Sequence, residues 1–367
     1  MQFLLAILLI NAFVLMLCTL LSLAGRFLRQ SGQATMQING QAQSVECGQK
    51  LIDSMAQNGI FLPAACGGKG TCGRCQVVVD NGGGNLTTLE RLHLKPEEIA
   101  ALARLACQVK VRENIEVRVA NALLAAGLFK ARLLNSQKVS ADIKTLSFEL
   151  EADKSLEFMP GQYLQVVYQQ PWERVTRAYS ISSSPEHRQG FSLDVQRIDG
   201  GLVSNFLHEL QPGESIEVTG PFGDMALCAA DLQRPLILVA GGVGLAPLRS
   251  MVAQLQKNGF AAPVMLFHGA RSRENLYCEE EFRSLSRSYG NFHYFPALSQ
   301  PLLEDGWEGA RGMIHQVLER ELQRQHSAAN ELKAFICGPT PMMLAVTKIL
   351  VAAGLPSDRI FTDPFDF

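Results

Sequence analysis

The chain has almost no net charge. Its 33 Lys and Arg stand against 35 Asp and Glu, leaving a formal −2, so the basic footprint of a nucleic-acid binder is missing. Nine cysteines in 367 residues fall far short of the density of a small secreted disulfide scaffold. Most stand singly, at Cys18, Cys47, Cys107, Cys228, Cys278 and Cys337, which points the bulk of the protein to a reducing compartment. No internal repeat or low-complexity tract interrupts the sequence. No histidine precedes His93, and no charged side chain precedes Arg26.

That uncharged start is itself informative. The run "MQFLLAILLINAFVLMLCTLLSLAG" would measure roughly 37 Å as a helix at ~1.5 Å per residue, enough for a hydrocarbon core of ~30 Å. A cleaved signal peptide is the rival. It would need a basic segment before the apolar run, and a shorter run. Arg26 and Arg29 follow directly, and positive charge keeps its side of a membrane cytoplasmic. The expectation for residues 1–29 is a single-pass anchor and linker in the inner (cytoplasmic) membrane, N-terminus out, with the remaining domains in the cytoplasm. Asn11, Thr19 and Ser22 are candidate helix–helix contacts within it.

The remaining chain changes rhythm twice. Residues 30–122 read as a small α+β domain. Two short strands meet at Asn39–Gly40, a hairpin signal. A helix covers "QKLIDSMAQNG", a strand "CQVVVD", a second helix "KPEEIAALARLACQ" and a last strand "NIEVRVA". Residues 127–230 hold short strand-like runs separated by Pro and Gly, the mark of a barrel or sandwich, with a helix at "SNFLHELQ". Residues 231–367 alternate strand and helix, which argues for an open parallel sheet covered on both faces.

The densest chemistry lies in "CGGKGTCGRC", residues 66–75. Cys66, Cys72 and Cys75, with Cys107 further along, give C-x5-C-x2-C and a distant fourth cysteine. Structural zinc prefers two close ligand pairs, and a redox CxxC should open a helix, whereas this one runs into a strand. Three cysteines on one loop and a fourth far away suit a [2Fe–2S] cluster. Its loop must fold closely over the sulfides, in conformations that glycine reaches without strain. Gly67, Gly68, Gly70 and Gly73 meet that demand. Zinc stays the rival reading, and Cys47 is a core residue.

Two further motifs suit a flavin and a dinucleotide. "RAYS", Arg177 to Ser180, lies on a barrel strand, and Gly201 to Ser204 opens a helix whose N-terminal amides could take phosphate. "AGGVGLAP", Ala240 to Pro247, sits between a strand and a helix, the context a G-x-G turn requires, with Pro247 early in the helix. "CGP", Cys337 to Pro339, ends another strand, where open α/β sheets bind ligands.

"RAYS" resembles the R-x-Y-S motif of the ferredoxin–NADP reductase superfamily. The resemblance implies FAD, with Arg177 at the pyrophosphate, Tyr179 stacked on the isoalloxazine, Ser180 at N5, and Ala178, Val195 and Gly201–Leu202–Val203–Ser204 as further contacts. It implies NADH at Gly242, Gly244, Ala246, Pro247, Gly338 and Pro339, the adenosine ribose near Arg271 and Arg273, and Cys337 beside the nicotinamide. Ser180 and Cys337 are thus the candidate catalytic residues. Phe365 or Phe367 would cover the flavin, and His268 is assigned to packing. The order anchor, ferredoxin, flavin barrel, nucleotide sheet resembles the F subunit family of Na+-translocating NADH:quinone oxidoreductases, and "AGGVGLAPLRS", "HGARS" and "CGPTPMM" carry the closest likeness. That family implies a transmembrane helix, a β-grasp ferredoxin domain, an antiparallel flavin barrel, a Rossmann-like nucleotide domain, and partner subunits of a membrane electron-transfer complex. The stretch between "PGQYLQVV" and "RAYS" is short for that family, Thr340 stands as an addition, and the tail "TDPFDF" lacks its glycine ending. A tethered NADH-dependent reductase serving a monooxygenase or another acceptor is the alternative, and a non-catalytic membrane-tethered electron carrier is the alternative of another class.

Overall fold

The structure, a computed structural model, describes residues 2–28, 32–170, 174–302, 306–324 and 331–365. It forms two compact units, Met1–Ala125 and Ala126–Phe367.

The first unit opens with α1 (Gln2–Leu28). Its described side chains, residues 5–21, are all exposed, Leu8 by 69% and Leu15 by 66%. Among the described residues no helix is long and apolar enough to cross a membrane. Asn11 Nδ2 donates to the Ile7 carbonyl at 2.9 Å, and Thr19 Oγ1 reaches the Leu15 and Met16 carbonyls at 2.9 and 2.8 Å. The helix itself therefore supplies acceptors for Asn11 and Thr19, two of the three groups expected to bind a neighbouring helix. The Ser22 side chain and Arg29 lie outside the described residues.

Five strands follow, β1 (Gln33–Ile38), β2 (Gln41–Glu46), β3 (Gln76–Asn81), β4 (Ala103–Leu105) and β5 (Ile115–Arg118), in the order β2-β1-β5-β3-β4. β1 runs parallel to β5 and the other pairs are antiparallel. The Asn39–Gly40 turn has φ of 47° and 88°, the left-handed pair that a two-residue hairpin demands. α2 (Leu51–Gln57) packs Leu51 and Met55 into the core over this sheet.

The helix expected over residues 95–108 is cut short. α4 spans only Pro96–Ala100, Leu102 turns to φ 60°, and β4 pairs with β3 instead. A buried ion pair explains the break. α3 (Thr88–His93) was not foreseen, although "TTLE" carries a capping box: Thr87 accepts from the Glu90 amide, and Glu90 accepts from Thr87. Glu90 is fully buried and receives Arg104 Nε at 2.8 Å and the Leu105 amide at 3.1 Å. Arg104 also donates to the carbonyls of Gly83, Gly84 and Asn85. A continuing helix would turn Arg104 away from these acceptors.

Burial alone would raise the Glu90 pKa, but Arg104 and the Thr87 and Leu105 amides hold it below the usual carboxylate value. Its stabilising contribution is therefore complete above the unfolded pKa of ~4.3 and fades as pH falls through the lower folded value. Arg104→Leu should cost ~3–5 kcal/mol, the cost of stranding a buried charge. Urea titration of the full chain, followed by hydrogen exchange of the β3 and β4 amides, should show an earlier midpoint. An unmoved midpoint would show that the pair is dispensable.

The second unit begins with β6 (Gly127–Lys138), β7 (Ile143–Leu150), β8 (Tyr163–Gln169), β9 (Arg174–Ser180), β10 (Gly190–Gln196) and β11 (Ser215–Phe222), in the order β10-β7-β6-β11-β8-β9. Its ladders are antiparallel. A bridge between Ile181 and Leu193 joins the two ends, so the sheet closes into a barrel with no free edge there. α6 (Leu202–Glu209) contributes Val203 and Leu207 to the barrel core.

A six-stranded sheet follows, in the order β15-β14-β13-β12-β16-β17 and parallel throughout. Its strands are β12 (Leu236–Gly241), β13 (Val264–Ala270), β14 (Phe292–Leu298), β15 (Ala310–Arg311), β16 (Lys333–Gly338) and β17 (Ile360–Pro364). The two-residue β15 was too short to read from a pattern. Leu236, Leu238 and Ala240 of β12 face α7 (Leu245–Lys257) and α8 (Glu279–Ser288). Ile237 and Val239 face α9 (Ile314–Arg324) and α10 (Thr340–Ala352). Strand order reverses between β12 and β16, so the crevice that open α/β sheets use lies at their C-terminal ends.

Candidate functional site

In the ferredoxin-like unit, all four glycines of the loop adopt positive φ, from 66° at Gly67 and Gly73 to 81° at Gly70. At Gly70 a Cβ would also stand 2.5 Å from Gln108 Nε2, so a larger residue there would strain the backbone and have to displace the Gln108 side chain. The wrapped loop brings Cys66 Sγ to 3.4 Å from Cys72 Sγ, and Cys75 makes a side-chain hydrogen bond with Cys107. The sulfurs thus come as two pairs, and the adjacent CxxC cysteines fall into different ones. Among the described residues, no group of three or more His, Cys, Asp or Glu side chains could hold one metal ion between them.

Donors around the loop favour thiolate at Cys66 and Cys107, while Cys72 and Cys75 are pushed up. The Cys72 thiol donates to Cys66, and the Thr71, Cys72 and Gly70 amides add to it, bringing Cys66 down to about 3 against the opposition of burial. The same contact, and then burial, push Cys72 up. Cys107 comes down to about 7 through Cys75, helped by Gln108 and the Lys50 charge. Gln108 Nε2 donates to Cys107 Sγ at 3.3 Å, and Lys50 Nζ to the Gly68 carbonyl at 3.1 Å. Cys47 is half-buried against the domain core.

In the barrel, β9 presents Arg177, Ala178, Tyr179 and Ser180 opposite Val166, Gln165, Leu164 and Tyr163. The Ser180 hydroxyl is buried without a hydrogen-bond partner, a group that a ligand acceptor or donor would satisfy. Tyr179 is partly buried against the barrel core, and burial raises its pKa. Arg177 Nη1 donates to the Thr176 carbonyl at 2.8 Å. Gly201 is the N-cap of α6 and offers no capping side chain, so the first amides of Leu202 and Val203 are left for another acceptor. Ser204 accepts from the Ile198 amide at 3.2 Å, fixing that turn. Val195 is different: its side chain is fully buried in the barrel core and its carbonyl is bonded by His208 at 2.8 Å.

In the nucleotide sheet, β12 runs into the Gly242–Gly244 turn and then α7. A Cβ on Gly244 would overlap the Cys337 carbonyl, so the turn needs glycine to lie against β16. Ala246 and Pro247 are buried in the first turn of α7. Gly338 has φ 149°, and a Cβ there would meet Met342 Cε at 2.9 Å; Pro339 caps α10. The Cys337 side chain is fully buried, and its thiol donates to the Asp363 carbonyl at 3.2 Å. That contact lies at the edge of the nucleotide-sheet core, to which Cys337 belongs. Arg271 is exposed beyond β13, its carbonyl bonded by the Gln300 amide. Phe365 packs partly buried on the nucleotide core, its amide bonded to the Gly338 carbonyl at 3.1 Å. Phe367 lies outside the described residues. His268 is fully buried among aromatic rings.

Comparison with known proteins matches each part. The 2Fe-2S iron-sulfur cluster binding domain family matches residues 36–112, the oxidoreductase FAD-binding domain family 130–227, and the oxidoreductase NAD-binding domain family 238–348. The F subunit of the Na(+)-translocating NADH-quinone reductase of Actinobacillus succinogenes is 30% identical over 397 residues, covering 97% of each chain. The chain belongs to this F subunit family. The Neisseria meningitidis serogroup C member is 29% identical over 405 residues and covers both chains completely. Among solved structures, the Amycolatopsis cytochrome P450 reductase GcoB superposes with a TM-score of 0.73 at 25% identity, covering 90% of this chain and 98% of that one.

Membership of the F subunit family accounts for the FAD, NADH and [2Fe–2S] modules in one NADH-dependent flavin and iron–sulfur oxidoreductase. Sequence reasoning missed the donors to the sulfurs, Gln108 and the Gly70–Cys72 amides. "ACQ" after the helical pattern was the available signal for Gln108. It also missed Asp194 and Arg249, which nothing in the linear pattern connects.

Proposed function

We propose that this chain oxidises NADH at the crevice between β12 and β16 and delivers the electrons to a membrane quinone-reductase complex of the sodium-translocating type. The observation that carries the reading is the unpaired, buried Ser180 hydroxyl at the end of "RAYS", in the same compact unit as the dinucleotide turn. The residues present fit the groups required. Ser180, Tyr179, Arg177 and the amides at Gly201–Val203 suit FAD; Gly242, Gly244, Ala246 and Pro247 suit the NADH phosphates; Gly338, Pro339 and Phe365 suit the nicotinamide end, and Arg271 the ribose. Cys66 with Cys72, and Cys75 with Cys107, suit two irons taking two thiolates each, an arrangement one zinc ion would not require.

When bound, FAD supplies a two-electron hydride acceptor and the [2Fe–2S] cluster a one-electron carrier. The chain's own part is positioning: a flat ring for the flavin, a hydroxyl at its reactive atom, and amides that hold charge on sulfur. Anaerobic NADH added to full-length protein should bleach the flavin band and then produce the signal of a reduced two-iron cluster. A coloured protein lacking flavin and indifferent to NADH would leave only an electron carrier.

The anchor belongs to the same proposal. A largely apolar helix with every described side chain exposed and its polar groups bonded to its own carbonyls suits a single pass with the N-terminus outside. Deleting residues 1–29 should give a soluble protein that still oxidises NADH with an artificial acceptor. Aggregation without flavin would count against a separable anchor. The likeness to a P450 reductase supports a second reading, a tethered reductase for another acceptor, which proteins copurified from membranes would separate from the first.

A further inference from the structure

A buried polar assembly joins the barrel to the nucleotide sheet within the second unit. On β10, Phe191, Leu193 and Val195 face the barrel core, so strand alternation turns Asp194 outward. Its side chain is nevertheless 0% exposed, because α7 lies over it. The Asp194 carboxylate accepts Thr145 Oγ1 at 2.8 Å and Ser182 Oγ at 3.1 Å, and both its oxygens accept Arg249 Nη1 at 2.9 Å. Arg249 lies on α7, shortly after the dinucleotide turn. Its Nη2 stands 3.7 Å from the half-exposed Glu281. Burial opposes the Arg249 charge, and Asp194 more than restores it, so its pKa is raised. Tyr277 and Cys278 also border the pair; burial raises the Tyr277 pKa and pushes Cys278 up to about 12, so both stay neutral.

A buried ion pair is poor evidence for stability, since desolvation offsets the attraction; a fixed register is the better-attested return. Here the two ends of the pair are informative. Ser182, which bonds Asp194, stands two residues beyond Ser180. Arg249 is on the helix that the Gly242–Gly244 turn opens, and that turn packs against β10.

We propose that Asp194–Arg249 is a positioning pair for hydride transfer, holding the dinucleotide turn in register with the Ser180 end of β9. The inference rests on the NADH–flavin reading above. The step served moves a hydride, with its two electrons, from C4 of NADH to N5 of the flavin. One C–H bond breaks and one N–H bond forms, leaving NAD+ and two-electron-reduced flavin. Misplacing the partners by ~1 Å can cost ~10²-fold in rate.

The test uses the full-length, FAD-loaded protein and two variants. Asp194→Asn with Arg249→Met removes the ion pair but keeps an acceptor for Thr145 and Ser182. Arg249→Lys keeps the charge and loses the fork. Three quantities are read: FAD content, the limiting rate of flavin bleaching by NADH, and hydrogen exchange of the amides of β10 and the start of α7. The double variant should keep its FAD, bleach roughly 10²-fold more slowly, and exchange faster at the start of α7 before any NADH is added. Arg249→Lys should recover most of the rate. Unchanged rate and exchange would overturn the proposal, as would a loss of rate fully explained by lost FAD. If the double variant does not fold, Asp194→Asn alone decides: a slower limiting rate in folded, FAD-loaded protein supports the pair, and a wild-type rate with wild-type exchange overturns it. Wild-type flavin that NADH cannot bleach would sink the NADH–flavin reading itself, which is a different outcome.

Discussion

Replacing Cys72 by serine should strip the iron from the ferredoxin-like unit while NADH still bleaches the flavin at the wild-type rate. The Cys72 sulfur lies 3.4 Å from Cys66 and gives that pair half its donors. Its loss leaves one iron with a single thiolate, and the Gly70–Cys72 amides that support charge on Cys66 then have no cluster to stabilise. The flavin and nucleotide residues lie in the other compact unit, with its own cores around Leu146 and Leu238. Sites without shared partners behave additively, so the two readouts should part. The check is iron content and visible absorbance beside stopped-flow bleaching. Loss of both activities would contradict separate modules.

Ser180→Ala should slow flavin bleaching by about 10-fold or more, towards the ~10²-fold cost of losing a preorganised donor. FAD binding should weaken far less, because one neutral hydrogen bond contributes ~1 kcal/mol. A second sign separates this from general damage. The Ser180 hydroxyl is buried and unpaired in the chain alone, so its removal should stabilise the FAD-free protein, by ~1–3 kcal/mol. Thermal unfolding of the apoprotein measures that. Unchanged bleaching kinetics would remove Ser180 from the reaction.

Much of the architecture was legible because local chemistry and fold agree. The Asn39–Gly40 turn, the G-x-G between β12 and α7, and the glycines among the cysteines each require a backbone shape that few other residues allow. The helix over residues 95–108 misled because its periodicity is real, while the fold needs Arg104 facing Glu90 and so breaks the helix at Ala101. Tertiary demand overrode propensity there. At the sites, the three modules were legible from their motifs, but the surroundings of individual side chains were not. Val195 belongs to the barrel core, and the Cys337 thiol points at the Asp363 carbonyl. A one-dimensional pattern cannot tell which face a residue at the end of a strand will show. Nor could it pair Asp194 with Arg249, since a buried charge is recognised only by its partner.

The most direct measurement is Mössbauer spectroscopy of 57Fe-enriched protein, with iron and acid-labile sulfide counted per chain. Two irons and two sulfides, both irons in tetrahedral sulfur coordination and one becoming ferrous on reduction with NADH, is the expected result. A single iron, or zinc in its place, would contradict two sulfur pairs built for two metals.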